Sequence, residues 1–144
     1  MKPWGYDEMD IDYEGGERMT NFEMVQEFHR AFGQKVAKVP TLAGCAVEDL
    51  RYDLIAEEFN ELDEALIDRN IVAVADALTD LAYVVYGMAD IYGIDLDVCF
   101  QEVHRSNMSK LGEDGKPILR ADGKFLKGPN YSPPDLKTVL GIKS

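Results

Sequence analysis

The run from Ile71 to Tyr92, IVAVADALTDLAYVVYGMADIY, constrains this chain more than any other stretch. Wound as a helix it is apolar nearly all round, which predicts the most buried helix of the molecule. Asn70 stands at its start and Gly93 at its end. No Lys or Arg occurs between Asn70 and Gln101, so Asp76 and Asp80, four residues apart on one face, have no local cation. An ionised carboxylate is costly to bury unless it is paired or coordinates a metal. Whatever settles these two acids must come from elsewhere in the chain or from outside it.

The flanking segments also read as helices. Thr20 followed by Glu23 is a capping-box pattern and opens a first helix. Its apolar stripe is Phe22, Val25, Phe28 (with Met24) and Phe32, and Gly33 ends it. A connector with Pro40 and Gly44 leads to a second helix predicted from about Val47 to Asp68, followed by the third from about Asn70 to Tyr92. Asp95 caps a fourth, from Leu96 to about Lys110. Short links make neighbouring helices antiparallel. Nothing before residue 111 alternates like a strand. The predicted fold is all-α, a four-helix bundle-like domain over residues 20–110. An acidic N-terminal arm at 1–19, with Trp4, Tyr6 and Tyr13, precedes it. A basic tail at 111–144 packs on it. Within that tail Asp114-Gly115-Lys116 recurs as Asp122-Gly123-Lys124, two turn signals around a short strand-like KPILR, before the extended GPNYSPPDL.

The formal net charge is −12, unevenly spread. Residues 1–102 hold 7 Lys/Arg and 23 Asp/Glu, and residues 103–144 hold 8 and 4. This balance argues against a nucleic-acid polymer as partner. An acidic body with a basic tail either serves a metal and an anion in one site or reflects drift in composition. No uninterrupted apolar run approaches the roughly 18–20 residues of a membrane span, and the N-terminus lacks the pattern of a signal peptide. Cys45 and Cys99 are read as small buried apolar residues, which fits a cytoplasmic chain.

On a wheel of the second helix, Val47, Leu50, Leu54, Leu62 and Ala65 share one side, with Ile55 and Leu66 at its flank. Glu58 and Glu61 fall inside that arc and Glu57 at its edge, whereas Asp53, Asn60 and Asp63 fall opposite. Together with Asp76 and Asp80, these acids are either neutralised by basic residues from elsewhere or bind hard divalent cations. Oxygen-only carboxylate ligands suit Mg²⁺ or Mn²⁺. The two histidines form neither a zinc pattern nor the Glu-x-x-His of a di-iron bundle. At the end of the fourth helix, EVHRSNMSKLG places Asn107 and Lys110 three apart on one face, a cation and an amide donor of the kind a polyphosphate needs. Arg105 is read as offsetting the helix dipole. His104 is either a base contact or a surface residue. There is no P-loop and no GxGxxG after a strand.

LIAEEFNELDEAL, then VADALTDLAYVVYG, then EVHRSNMSK resemble the all-α nucleotide pyrophosphohydrolases, the MazG-like and phosphoribosyl-ATP-pyrophosphohydrolase-like group, which has phage members. The likeness spans roughly residues 20–131. The family pattern of Glu-Glu-x-x-Glu falls on Glu57, Glu58 and Glu61. The terminal Asp of its second pattern, Glu-x-x-Asp, falls on Asp80. The Glu of that pattern falls on Ala77, with Asp76 as the substitute one residue earlier. The resemblance implies hydrolysis of a nucleoside triphosphate between the α and β phosphates, to monophosphate and pyrophosphate. It implies Mg²⁺ (Mn²⁺ substituting) held by Glu57, Glu61, Asp80 and Asp76, with Glu58 activating water or serving as a ligand. Lys110, with Lys124 or Lys127 from the tail, would stabilise phosphate charge, Asn107 would contact sugar or phosphate, and Phe28 would stack on a base or belong to the core. It implies a homodimer or homotetramer, and leans to dGTP or GTP as substrate. The alternatives are a non-catalytic metal- and nucleotide-binding module, which Ala77 favours, and a purely structural ion-pair network.

Overall fold

The computed structural model describes residues 18–143. The expected arm at 1–19, with Trp4, Tyr6 and Tyr13, lies outside the described residues apart from Arg18 and Met19. The chain is all-α: α1 (Asn21–Ala31), α2 (Cys45–Ile67), α3 (Ile71–Ile91), α4 (Leu96–Met108) and a short α5 (Leu136–Val139). The predicted caps are present. Thr20 and Glu23 complete a reciprocal capping box. The Asn70 side chain accepts from the amides of Val72 and Ala73, and that of Asp95 accepts from Val98. The missed helix α5 has a cap of the same kind, Asp135 accepting from the amide of Thr138.

α3 packs chiefly on α2 and α1. The connector between α1 and α2 crosses the end of α3, where Ile91 O accepts from Ala37 N at 3.0 Å and Tyr92 O from Thr41 N at 2.9 Å. Gly93 makes this crossing possible. Its φ is +67°, and a Cβ there would stand 2.5 Å from Val39 O and 2.9 Å from Ala37 O. Left-handed backbone and a backbone clash act together in any larger residue. Gly93→Ala is therefore expected to destabilise the fold by about 1–3 kcal/mol, read as a lower urea midpoint with an unchanged m value.

Several expectations about burial are corrected. α3 does hold more buried residues than any other described helix, Ala77, Gly87, Ala89, Asp90 and Ile91, but it is not enclosed: Ile71 is 78%, Val72 74% and Leu78 51% exposed. The apolar arc of α2 is likewise open at Leu50 and Leu66. The long α2 and the shorter α1 leave part of a helix that is apolar all round uncovered. The stripe of α1 divides: Phe22 and Val25 are buried, while Phe28 and Phe32 are exposed and stack on each other at 4.2 Å between ring centroids. Cys99 is buried, but Cys45, at the open first turn of α2, is exposed. By length and composition alone α3 is also apolar enough to cross a membrane. It carries Asp76, Asp80 and Asp90 and packs against three other helices, α1, α2 and α4.

The tail folds back along α4. Ser132 N donates to Ser109 Oγ at 2.9 Å, Asp135 N to Glu102 Oε1 at 2.8 Å, and Arg105 Nη2 to Pro133 O at 3.1 Å. Arg105 also grips Glu102 with two hydrogen bonds, which with the Asp135 amide hold the Glu102 carboxyl down at about 2. The two Asp-Gly-Lys turns are built alike, each Lys amide donating to the Asp side chain two residues back. The second closes a hairpin whose β pairing is one isolated antiparallel bridge, Leu119 to Phe125.

Candidate active site

The link between α2 and α3 is Asp68, Arg69 and Asn70, with Arg69 at φ 55°. In an antiparallel helix pair, residues equally distant from the link lie side by side. Glu58 lies 11 residues before Arg69 and Asp80 11 after it, so the hairpin sets the acids of α2 against those of α3. Glu58 is the one held inward. It is half-buried, and its Oε2 is buried with no hydrogen-bond partner. Burial raises its pKa, and the negative charges of Glu61, Asp80, Glu57 and Asp76 raise it further. Every charge acting on this carboxyl is negative. None of the ion pairs among the described residues includes any of the five acids.

Glu57, Glu61 and Asp76 are exposed, and Asp80 is half-buried. Asp76 was expected to be buried; it is exposed, as are Ile71 and Val72 in the open first turns of α3. Among the described residues, no three His, Cys, Asp or Glu side chains gather closely enough to hold a metal ion as they stand. Like-charged carboxylates repel one another without a counter-ion. An orphaned buried oxygen in an all-oxygen, all-acid donor set fits a hard divalent cation.

The basic residues lie elsewhere. Lys110, half-buried, donates from Nζ to Asn107 Oδ1 at 2.8 Å. Both line a cavity of about 430 Å³ between the end of α4 and the tail hairpin, and no carboxylate lines it. Among the described residues no hydrogen bond or ion pair joins this pair to the five acids. His104 and Lys124 are exposed, and the Lys127 ammonium sits 4.4 Å from the centroid of the Tyr131 ring. Phe28 meets Tyr83, three residues after Asp80, edge-on at 5.8 Å.

A buried polar cluster escaped the sequence reading. His29 Nδ1 and Asp90 Oδ2 are 2.6 Å apart, with both side chains nearly inaccessible. Arg51 from α2 is buried beside them, hydrogen-bonded to Gln34 at 3.3 Å and with Nε unpartnered. Burial lowers the Arg51 pKa, and Asp90 partly restores it. Gly87 makes room: a Cβ there would stand 3.4 Å from Arg51 Nη1 and 3.6 Å from His29 Nε2. The available signal was Asp90 itself, an acid in an apolar helix one turn after a glycine.

The helical fold, with acids on both helices of the α2–α3 hairpin, agrees with the all-α nucleotide pyrophosphohydrolases that the sequence resembles. The chain belongs to this MazG-like group: residues 25–107 match the phosphoribosyl-ATP pyrophosphohydrolase family. It is 34% identical over 113 residues to uncharacterized protein L479 of Acanthamoeba polyphaga mimivirus, covering 74% of this chain and 41% of that protein. The chain thus spans less than half the length of that relative. A crystal structure of a candidate NTP pyrophosphohydrolase from Exiguobacterium sp. 255-15 overlays with a TM-score of 0.44 at 24% identity, covering 84% of this chain and 92% of the other.

Proposed function

We propose that the chain is a divalent-metal-dependent nucleoside triphosphate pyrophosphohydrolase, cleaving between the α and β phosphates to release pyrophosphate. The observation that carries this reading is Glu58, whose Oε2 is buried and unpartnered while the negative charges of Glu61, Asp80, Glu57 and Asp76 act on its carboxyl. Glu57, Glu61, Asp76 and Asp80 would hold Mg²⁺, with Mn²⁺ as a substitute. The bound ion would neutralise and polarise phosphate oxygens. Glu58 Oε2 would orient the attacking water and take its proton, a task suited to a carboxyl whose pKa is raised. Lys110 would neutralise phosphate charge and Asn107 would bind sugar or phosphate. Lys124, Lys127, His104 and Phe28 remain candidates for contacts to phosphate or base.

The acidic and basic halves meet in an assembly of two or four copies. The open apolar residues at the α2–α3 end, Ile67, Ile71 and Val72, support such an interface. A second reading, a module that binds metal and nucleotide without turnover, is favoured by Ala77, which is 4% exposed and offers no oxygen where the family pattern has Glu. Pyrophosphate release across a panel of ribo- and deoxyribonucleoside triphosphates, dGTP and GTP first, with Mg²⁺ and with Mn²⁺, separates the two. Metal-dependent release is the expected result. Binding of a nucleotide without turnover of any would leave the module reading standing.

A further inference from the structure

We propose that the cavity between the end of α4 and the tail hairpin receives the base and sugar of the nucleotide, with Lys110 anchoring a phosphate. This deepens the reading above and rests on it. At about 430 Å³ the cavity is of a size that takes a small molecule. Its walls are apolar side chains from α4 (Met108) and the hairpin (Ile118, Phe125, Leu126), and its polar lining residues are Asn107 and Lys110. The shape is built in advance. Leu126 N donates to Ile118 O at 2.8 Å across the hairpin, and Gly128 N donates to Lys110 O at 2.9 Å, tying the hairpin to the helix end.

Charge decides which occupant fits. The Lys110 ammonium has three donors, and one is spent on the neutral Asn107 amide. Among the described residues no carboxylate lies within ion-pair distance of it. A half-buried cation beside apolar walls is left uncompensated by an apolar side chain from a second copy. An inorganic anion alone would leave the apolar walls unfilled. A body with flat apolar faces and an attached phosphate satisfies both. Phe125, 64% exposed, presents a ring on which a base can stack.

The test is calorimetric titration of the full chain with an α,β-methylene nucleoside triphosphate, which cannot be cleaved at the α–β bridge, and with inorganic tripolyphosphate, which has no base. The wild-type chain should bind the nucleotide about tenfold or more tightly than tripolyphosphate. Phe125→Ala and Ile118→Ala, checked for wild-type helicity by circular dichroism, should each lose most of that advantage while holding tripolyphosphate unchanged. Lys110→Ala should weaken both ligands. Nucleotide affinity unchanged in both hairpin variants, or no preference for the nucleotide in wild type, overturns the proposal. Loss of self-association in Phe125→Ala without loss of nucleotide affinity does so too, and gives the cavity to a second copy. These titrations need no turnover. A chain that hydrolyses nucleotides yet ignores Phe125 refutes the cavity alone, and one that binds through Phe125 without hydrolysis refutes the enzyme reading alone.

Discussion

Glu58→Gln should fold with wild-type helicity, still bind nucleotide, and lose turnover by a factor of about 10²–10⁴. The amide keeps the size of the carboxyl but cannot take a proton from water. Retention of full pyrophosphate release would remove Glu58 from the role of base. The same substitution has a second readout in metal-free protein. The folded-state pKa of Glu58 is raised, first by burial and then by Glu61, Asp80, Glu57 and Asp76. A folded state that holds its proton more tightly than the unfolded chain is favoured at low pH. It loses that advantage as pH rises from the unfolded value through the raised one. Glu58→Gln should therefore melt above wild type at pH 8, with the gap closing toward pH 4. An equal or lower melting temperature at pH 8 would show that the repulsion around Glu58 is absent. Divalent ions should raise the melting temperature of both proteins, since Glu57, Glu61, Asp76 and Asp80 remain in the variant; a rise seen in wild type alone would make Glu58 itself a ligand.

Asp90→Ala should be among the most damaging substitutions outside that site, costing about 3–5 kcal/mol. The carboxylate lies 2.6 Å from His29 and supplies the negative charge that favours the buried Arg51 guanidinium. Removing it leaves Arg51, already unpartnered at Nε, with only the long bond to Gln34. Three helices meet at this cluster, His29 from α1, Arg51 from α2 and Asp90 from α3, so the loss is felt across the bundle rather than at one helix end. Urea unfolding followed by circular dichroism measures the effect. A loss below about 1 kcal/mol would mean that solvent replaces the carboxylate easily.

Local chemistry was legible in the sequence and long-range partnership was not. Thr20, Asn70, Asp95 and Gly93 mark helix ends through bonds that span a few residues, and the structure places each where its side chain or backbone demands. The wheel of α2 sets Glu58 and Glu61 apart from the outward acids, because periodicity reports which side of a helix a residue occupies; of the two only Glu58 is half-buried, and Glu61 is exposed. Periodicity does not report whether that side is covered. α3 is apolar all round, yet Ile71 and Val72 are open, because coverage depends on how many other helices arrive. His29 and Asp90 are 61 residues apart, and no spacing rule links them. The acids of α2 and α3 could be paired from sequence because a three-residue link fixes their register. Lys110 and Asn107 could not be placed relative to them, since α4 reaches the rest of the bundle mainly through α3.

The hairpin of α2 and α3 has a kinetic consequence. Its acidic half is assembled from one unbroken stretch, Glu57 to Asp80, through contacts close in sequence, and such contacts form early. The basic half depends on the chain returning from Gly128 to Asp135 to latch against α4. Opening of that latch is a smaller event than unfolding the bundle. A fluctuation of this kind would discard the proposed phosphate and base contacts while leaving the carboxylates in register, so under the proposed function retention of metal and retention of nucleotide would have different lifetimes.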